Sequence, residues 1–193
     1  MKWIIASDVH GYPERCRKIA ELTEKEGAER LILLGDLFHG PKYPWLGYLE
    51  KRLPVPRKDD HFFEAVCEAL TPVMDRITAV RGNWDTDEDM ERSPFPIAEK
   101  KSELPLGSRT VLLFHGEECH EENLPPVRKG DVVLVGHTHV PKCRILKDCF
   151  LFNPGSVSLP KEGTYPGYML MEDGVFFWRD LDGNTVMRCD VNA

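Results

Sequence analysis

Short apolar runs alternate with helix-like segments through the first two thirds of the chain. Five of these runs have the length and composition of strands buried on both faces of a sheet. They are WIIA (3–6), LILL (31–34), ITAV (77–80), VLLF (111–114) and VVLV (132–135).

The segments between the first three runs predict crossover helices. Residues 12–27 have a proline near their start, apolar Ile19 and Leu22 three positions apart, and Gly27 after the last charged turn. Residues 59–73 predict a second helix with Asp59 or Asp60 as its N-cap. Its apolar face would comprise Phe62, Phe63, Val66, Ala69 and Leu70. Alternating strands and helices of this kind predict a parallel sheet.

Two other parts of the chain have different patterns. Residues 40–58 carry four prolines and two glycines with weak periodicity, which predicts a long irregular loop. After about residue 143, turn signals at 172–174 and 181–184 separate short strands, so we expect antiparallel hairpins such as GYMLM paired with VFFWR. No shift in composition marks a boundary, and residues 1–193 are interpreted as one domain.

Composition limits the classes of function. The chain has 193 residues, 41% hydrophobic and 30% charged, with a formal net charge of -7 and no basic block. This balance argues against binding along duplex nucleic acid. No apolar stretch approaches the ~20 residues of a membrane span, and the opening apolar run reaches Asp8 too soon for a secretory signal. Six cysteines without a paired motif indicate reduced thiols in a cytoplasmic protein.

Each apolar run is followed at once by a small residue and a polar cluster. Because the carboxyl ends of parallel strands meet at one edge of a sheet, these clusters are expected to face one crevice. A single Asp or Asn after a strand is ordinarily a turn residue, but turns do not require histidine, and four of the seven histidines occur here. The set is Asp8, His10, Asp36, Asn83, His115, His137 and His139.

These side chains predict a metal site. Oxygen and imidazole donors without a thiolate suit Mn, Fe, Co, Ni or Zn, and do not suit a structural cysteine–zinc site or a calcium site. Seven ligands are too many for one ion but suit two ions that share a carboxylate. Two divalent ions carry four positive charges against two from Asp8 and Asp36, so the site would attract an anion. A water that bridges the ions would have a lowered pKa and could attack a phosphoryl group.

The motifs resemble those of the calcineurin-like metallophosphoesterases. SDVHG, LGDLFHGP, RGNWD, HGEEC and GHTHVP reproduce the order D-x-H, G-D, G-N, H-G and G-H-T-H. Together with ENLPPV and FNPGSVSLPK, they are similar to the YfcE-like bacterial phosphodiesterases over almost the whole chain. The resemblance implies an α/β fold, a four-layer α/β/β/α sandwich with two mixed sheets flanked by helices. It also implies a binuclear centre, most often active with manganese.

The resemblance also implies a role for each ligand. It assigns Asp8, His10 and His139 to one ion, and Asn83, His115 and His137 to the other, with Asp36 as the bridge. Trp84 is a departure, because many relatives have a histidine there that protonates the leaving group. Trp84 is interpreted mainly as a wall of the crevice.

Other groups close to these motifs remain candidates for catalysis. Asp85 is a candidate orienting or acid group, and His39 is close enough in sequence to Asp36 to reach the substrate. The NPGS turn at 153–156 is expected to fix a backbone path.

The sequence therefore predicts a metal-dependent phosphoric ester hydrolase that acts on a small phosphodiester through a bridging hydroxide. Two alternatives stay open: a phosphomonoesterase or nucleotide phosphatase on the same centre, and a protein-binding scaffold such as the retromer subunit of this fold. The completeness of the seven ligands favours catalysis, because packing alone does not require them. The sequence leaves the oligomeric state open, a homo-oligomer included.

Overall fold

The computed structural model describes residues 1–39 and 62–193, whose strands form two mixed β-sheets packed face to face. In these ranges the first sheet has seven strands: β1 (Lys2–Ala6), β2 (Arg30–Leu33), β3 (Ile77–Val80), β4 (Ile97–Ala98), β10 (Gly167–Glu172), β11 (Val175–Asp180) and β12 (Thr185–Asp190). The second sheet has five: β5 (Lys101–Leu106), β6 (Arg109–Phe114), β7 (Asp131–Leu134), β8 (Lys142–Ile145) and β9 (Cys149–Asn153).

Strand order explains why both sheets are mixed. The first sheet runs β12-β11-β10-β1-β2-β3-β4, in which β1 to β4 are parallel and the other pairs antiparallel. The second runs β5-β6-β7-β9-β8, with β6, β7 and β9 parallel. The predicted hairpin of GYMLM with VFFWR is confirmed as β10 and β11, in the register Met169 to Trp178.

Helices lie on the outer side of the first sheet. They are α1 (Pro13–Lys25), α2 (Phe62–Leu70), which continues into a 3-10 helix (Thr71–Arg76), and α3 (Asp87–Arg92). Helix α1 begins at the predicted proline and ends before Gly27, whose φ of 62° is the left-handed conformation that favours glycine. No helix in the described part of the chain is long and apolar enough to cross a membrane.

Alternation of side chains in the strands produces separate apolar layers. Ile5, Ile32 and Leu134 are among the residues buried between the two sheets, while Ile4 and Leu31 point to the helices. This double burial accounts for the continuous apolar runs, because both faces of the central strands are covered.

The outer face of the second sheet is covered differently. Leu112, Val133 and Leu151 are buried there against Leu124 and Val127, which belong to the irregular segment between β6 and β7. The two mixed sheets are as predicted, but within the described residues the fourth layer is this irregular segment and not a helix.

Some expectations need revision. The apolar pattern placed all five strand ends at one sheet edge, whereas three belong to the first sheet and two to the second. Strand β4 and helix α3 were missed because they are very short, with 2 and 6 residues, and strand β5 because its sequence KSELPL is polar and contains proline. The loop predicted at 40–58 and the cap at Asp59 or Asp60 lie outside the described residues.

Candidate metal centre

The seven predicted ligands lie together where the carboxyl ends of the two sheets meet. Asp8 and His10 follow β1, Asp36 follows β2 and Asn83 follows β3, all in the first sheet. The remaining ligands follow two adjacent parallel strands of the second sheet: His115 follows β6, and His137 and His139 follow β7. Face-to-face packing of the sheets therefore brings together residues from position 8 to position 139.

The backbone at these positions is unusual. Seven non-glycine residues of the described chain have a φ between 49° and 64° in the left-handed region, and five of them are predicted ligands. These five are Asp8, His10, Asp36, His137 and His139. Such conformations cost free energy and persist where the surrounding structure holds them, most often at functional sites.

Backbone carbonyls fix the orientation of three imidazoles. Nδ1 of His10 donates to the carbonyl of His39 at 2.9 Å, Nδ1 of His139 to that of Leu159 at 2.6 Å, and Nδ1 of His115 to that of Leu34 at 2.7 Å. A proton on Nδ1 leaves the Nε2 lone pair of each neutral ring free to bind a metal ion.

The first group contains Asp8, His10 and His139. The Nε2 atoms of the two histidines are 3.1 Å apart, and Nε2 of His139 is 3.2 Å from Oδ1 of Asp8. In the neutral rings both nitrogens are acceptors, so they cannot bond to each other. Oδ1 of Asp8 is buried and has no hydrogen-bond donor. An orphaned oxygen beside two converging lone pairs fits a cation.

The second group contains Asn83, His115 and His137. Oδ1 of Asn83 lies 2.9 Å from both Nε2 of His115 and Nδ1 of His137. These two nitrogens are 3.3 Å apart. When His115 loses its Nε2 proton, that nitrogen and the amide oxygen are both acceptors, so this group also fits a cation.

Asp36 lies between the two groups. Its Oδ2 is 3.8 Å from Nε2 of His10 and 3.4 Å from Nε2 of His115, while its Oδ1 accepts from the backbone N–H of Trp84 at 2.8 Å. Asp8 is also near both groups, because one of its carboxylate oxygens lies within 4.8 Å of a carboxylate oxygen of Asp36 and of a ring nitrogen of His115. Asp36 therefore has the position that a bridging ligand requires.

Charge at the centre agrees with this arrangement. Burial alone would raise the pKa of Asp8, but the nearby imidazoles of His139 and His10 lower it to about 2. Burial opposes protonation of His115, but the hydrogen bond and charge of Asp36 raise its pKa to about 9. The buried carboxylates thus favour positive charge beside them, as a metal site does.

The carboxylate of Asp85 holds a loop through hydrogen bonds to backbone N–H groups and is not placed to act as a catalytic acid. Its Oδ2 accepts from the backbone N–H groups of Asp36 and Gly82, both at 2.9 Å, and its Oδ1 accepts from those of Leu37 and Phe38 at 2.8 and 3.3 Å. Burial raises the pKa of Asp85 to about 6 against the effect of these bonds. Of the two roles predicted for Asp85, the geometry supports orientation, because both oxygens are occupied by backbone donors.

His39 lies at the edge of the centre. Its carbonyl holds His10, while its ring Nε2 is 2.8 Å from Oδ2 of Asp89 and its side chain is 47% exposed. Asp89 also closes the capping box of α3 with Thr86. The side chain of His39 is therefore tied to α3 and is not among the seven converging ligands.

Trp84 lies against the first group. Its ring contacts that of His10 edge to face, with 6.4 Å between the centroids. This contact agrees with its interpretation as a wall of the crevice.

Supporting polar groups were missed or only partly identified from the sequence. Ser7 Oγ donates to Oδ2 of Asp8 at 2.6 Å, and Ser156 Oγ donates to the carbonyl of Asp8 at 2.8 Å. Asn153 Nδ2 donates to the carbonyl of Gly136 at 2.6 Å, just before His137. The NPGS turn was expected to fix a backbone path, and these contacts show which path it fixes. Adjacency to Asp8 was the available signal for Ser7.

Known proteins share this arrangement of sequence and fold. Residues 1–173 match the family model described as the calcineurin-like phosphoesterase superfamily domain. The chain is 35% identical over 176 residues to the phosphodiesterase YfcE of Escherichia coli K12, covering 91% of this chain and 89% of that protein. It is 29% identical to the probable metallophosphoesterase YsnB of Bacillus subtilis, with coverage of 89% and 83%. The solved structure of YfcE from E. coli superposes with a TM-score of 0.85 at 34% identity and covers both chains completely.

Proposed function

The chain belongs to the calcineurin-like phosphoesterase superfamily and is a metal-dependent phosphoester hydrolase, and from this premise we propose that it is a phosphodiesterase with a binuclear centre. Its substrate is a small phosphodiester. The E. coli relative carries the name phosphodiesterase, which supports the diester over the monoester.

One observation carries the proposal: Nε2 of His10, from the first group, and Nε2 of His115, from the second, lie 3.8 and 3.4 Å from Oδ2 of Asp36, while Nε2 of His139 lies beside Oδ1 of Asp8. Backbone carbonyls hold these rings before any ion binds, so little reorganisation accompanies binding. A scaffold that only packed against a partner would have no need for this orientation.

Asp8, His10 and His139 would hold one ion, Asn83, His115 and His137 the other, and Asp36 would contact both. The oxygen and imidazole donors suit manganese, zinc, iron, nickel and cobalt, and manganese is the ion we propose first because the resemblance to the YfcE-like phosphodiesterases implies it. The chemistry that two such ions supply when bound is activation of water as the nucleophile and neutralisation of charge on the phosphoryl oxygens.

The residues of the chain contribute orientation. Asp85 fixes the backbone of Asp36, and the hydroxyl of Ser7 and the backbone N–H of His137 fix one oxygen of Asp8, which leaves its Oδ1 directed at the first group. All six cysteines are unpaired, which supports the proposed cytoplasmic location.

The test is hydrolysis of bis(4-nitrophenyl) phosphate and 4-nitrophenyl phosphate by protein stripped with EDTA and then loaded with Mn, Zn, Ni, Co or Fe. We expect no turnover after stripping, recovery with two ions bound per chain, and a higher kcat/KM for the diester. A preference for the monoester would make the protein a phosphomonoesterase. Full activity with one ion per chain would contradict the binuclear centre.

A further inference from the structure

A cavity of about 600 Å³ adjoins the metal centre on the side of the second group. Asn83 and His115 line its inner end, and it extends outward between the segment after β3 and the irregular segment after β6. This volume is in the range of sites that bind small organic ligands. A phosphate bound at the centre would therefore have one ester arm next to the cavity.

One wall of the cavity is apolar. It is formed by Phe114, Leu124 and Pro125, all of which are half-buried. Phe114 and Leu124 pack on one side against the cluster that contains Leu112 and Val133, which holds them in place. A rigid apolar surface that includes an aromatic ring favours a flat apolar group through burial and offset stacking.

The cavity has no excess of cationic side chains. Arg81, Lys100 and Lys101 line it together with Asp85, Glu99, Glu117 and Glu118. The guanidinium of Arg81 is 2.7 Å from Glu99 and 2.8 Å from Asp87, and Nζ of Lys101 is 2.9 Å from Glu103. Because carboxylates already neutralise these two cations, the cavity is poorly suited to a second phosphate group.

We propose that this cavity is a specificity subsite that binds one aromatic ester arm of the substrate, an aryl group or a nucleobase. The inference rests on the proposed phosphodiesterase activity and adds the class of substrate. Leu124 is its specificity-determining residue, since it lines the apolar wall without belonging to the ligand set or lying next to it in sequence.

The test uses two diesters that share a 4-nitrophenyl leaving group and differ in the other arm, phenyl or ethyl. We expect wild type to have a kcat/KM at least about tenfold higher for the phenyl diester than for the ethyl diester. A difference of this size corresponds to the burial of about one apolar side chain. Leu124→Ala should reduce this preference several-fold, mainly through KM for the phenyl diester, and should change kcat/KM for the ethyl diester much less.

Leu146→Ala is the matched control. Leu146 packs against the same apolar cluster as Leu124 but does not line the cavity. Leu146→Ala should lower the free energy of unfolding by about as much as Leu124→Ala does, and it should keep the wild-type preference for the phenyl diester. Leu124→Trp, whose larger side chain narrows the cavity, should lower kcat/KM for the phenyl diester more than for the ethyl diester.

Binding is measured separately by calorimetry on Mn-loaded protein, with benzyl(methyl)phosphinate as the phenyl probe and methyl(propyl)phosphinate as the ethyl probe, because neither has a P–O ester bond that can be hydrolysed. Tighter binding of the phenyl probe, weakened by Leu124→Ala only, supports the subsite. Equal affinities and equal kcat/KM for the two arms, or an equal effect of Leu124→Ala and Leu146→Ala, would overturn it. If both diesters resist hydrolysis while the phenyl probe still binds selectively, the proposed activity fails and the subsite stands.

Discussion

The role of each residue at the metal centre depends on the atoms that surround its side chain. Asp36 and Asp85 both have buried carboxylates, and Oδ2 of Asp85 accepts from the backbone N–H of Asp36 at 2.9 Å, yet the two carboxylates have different roles. The oxygens of Asp85 are occupied by backbone donors, whereas Oδ2 of Asp36 faces His10 and His115. The role of a carboxylate here follows from which donors it meets.

Asp36→Asn removes the charge shared by the two groups. We expect metal content to fall from two ions per chain and kcat to fall by roughly 10² or more, because several kcal/mol of charge stabilisation are lost. Metal analysis and kinetics on the same samples measure both effects. Asp75→Asn, at a side chain that is 85% exposed, is the control. An Asp36→Asn protein that keeps two ions and wild-type kcat would contradict the bridging assignment.

At Trp84 the chain has an aromatic side chain that does not titrate where many relatives have a histidine. Its indole cannot donate a proton near neutral pH, and general acids typically contribute roughly 10² to 10⁴ to the rate. Turnover of a series of aryl and alkyl diesters should therefore fall steeply as the pKa of the leaving group rises.

Trp84→His should reduce that dependence, whereas Trp84→Phe, which keeps a ring without a titrating group, should not. A flat dependence in wild type would mean that another group already donates the proton.

The strands contribute to the metal centre through the loops that follow them. The loop after β2 and the loop after β3 are joined by Asp85, and Gly82 approaches Asp36 so closely that a side-chain carbon there would collide with its backbone nitrogen. These contacts make the two strand ends one rigid platform.

Asp85→Ala should break this platform. Four backbone N–H groups lose their acceptor, so we expect a loss of about 2–4 kcal/mol in the free energy of unfolding, together with weaker metal binding. Urea unfolding and metal titration provide the two measurements. Asp87→Ala, whose side chain is 89% exposed, should change stability by less than about 1 kcal/mol. Equal effects of the two substitutions would refute the platform.

Once metal ions are bound, the molecule combines a localised positive site with a net negative charge. The formal net charge is -7, so long polyanions are repelled while a compact anion can still reach the centre.

Binding of duplex DNA should accordingly be weak, and the logarithm of its association constant should fall with the logarithm of salt concentration with a slope shallower than about -2. Fluorescence polarisation of a labelled duplex at several salt concentrations gives the slope. A steep slope would indicate many phosphate contacts and a nucleic-acid substrate.

The sequence by itself determined the local elements and the chemistry of the site. Apolar runs such as 31–34 and 132–135 have no polar face, so both of their faces are buried. Their pattern therefore predicts strands without knowledge of the tertiary structure. Turns do not require histidine, so the histidines at the strand ends need another explanation. The ligand set, too, could therefore be proposed from residue types and positions.

Tertiary structure decided the rest, because it depends on contacts between residues distant in the chain. The sharing of the strand ends between two sheets follows from strand pairing, which no local pattern of the five runs specifies. The tautomers of His115 and His139 depend on the carbonyls of Leu34 and Leu159, 81 and 20 positions away, and backbone carbonyls have no sequence signature. The backbone role of Asp85 and the cavity beside Asn83 likewise exist only once loops from both sheets have packed together.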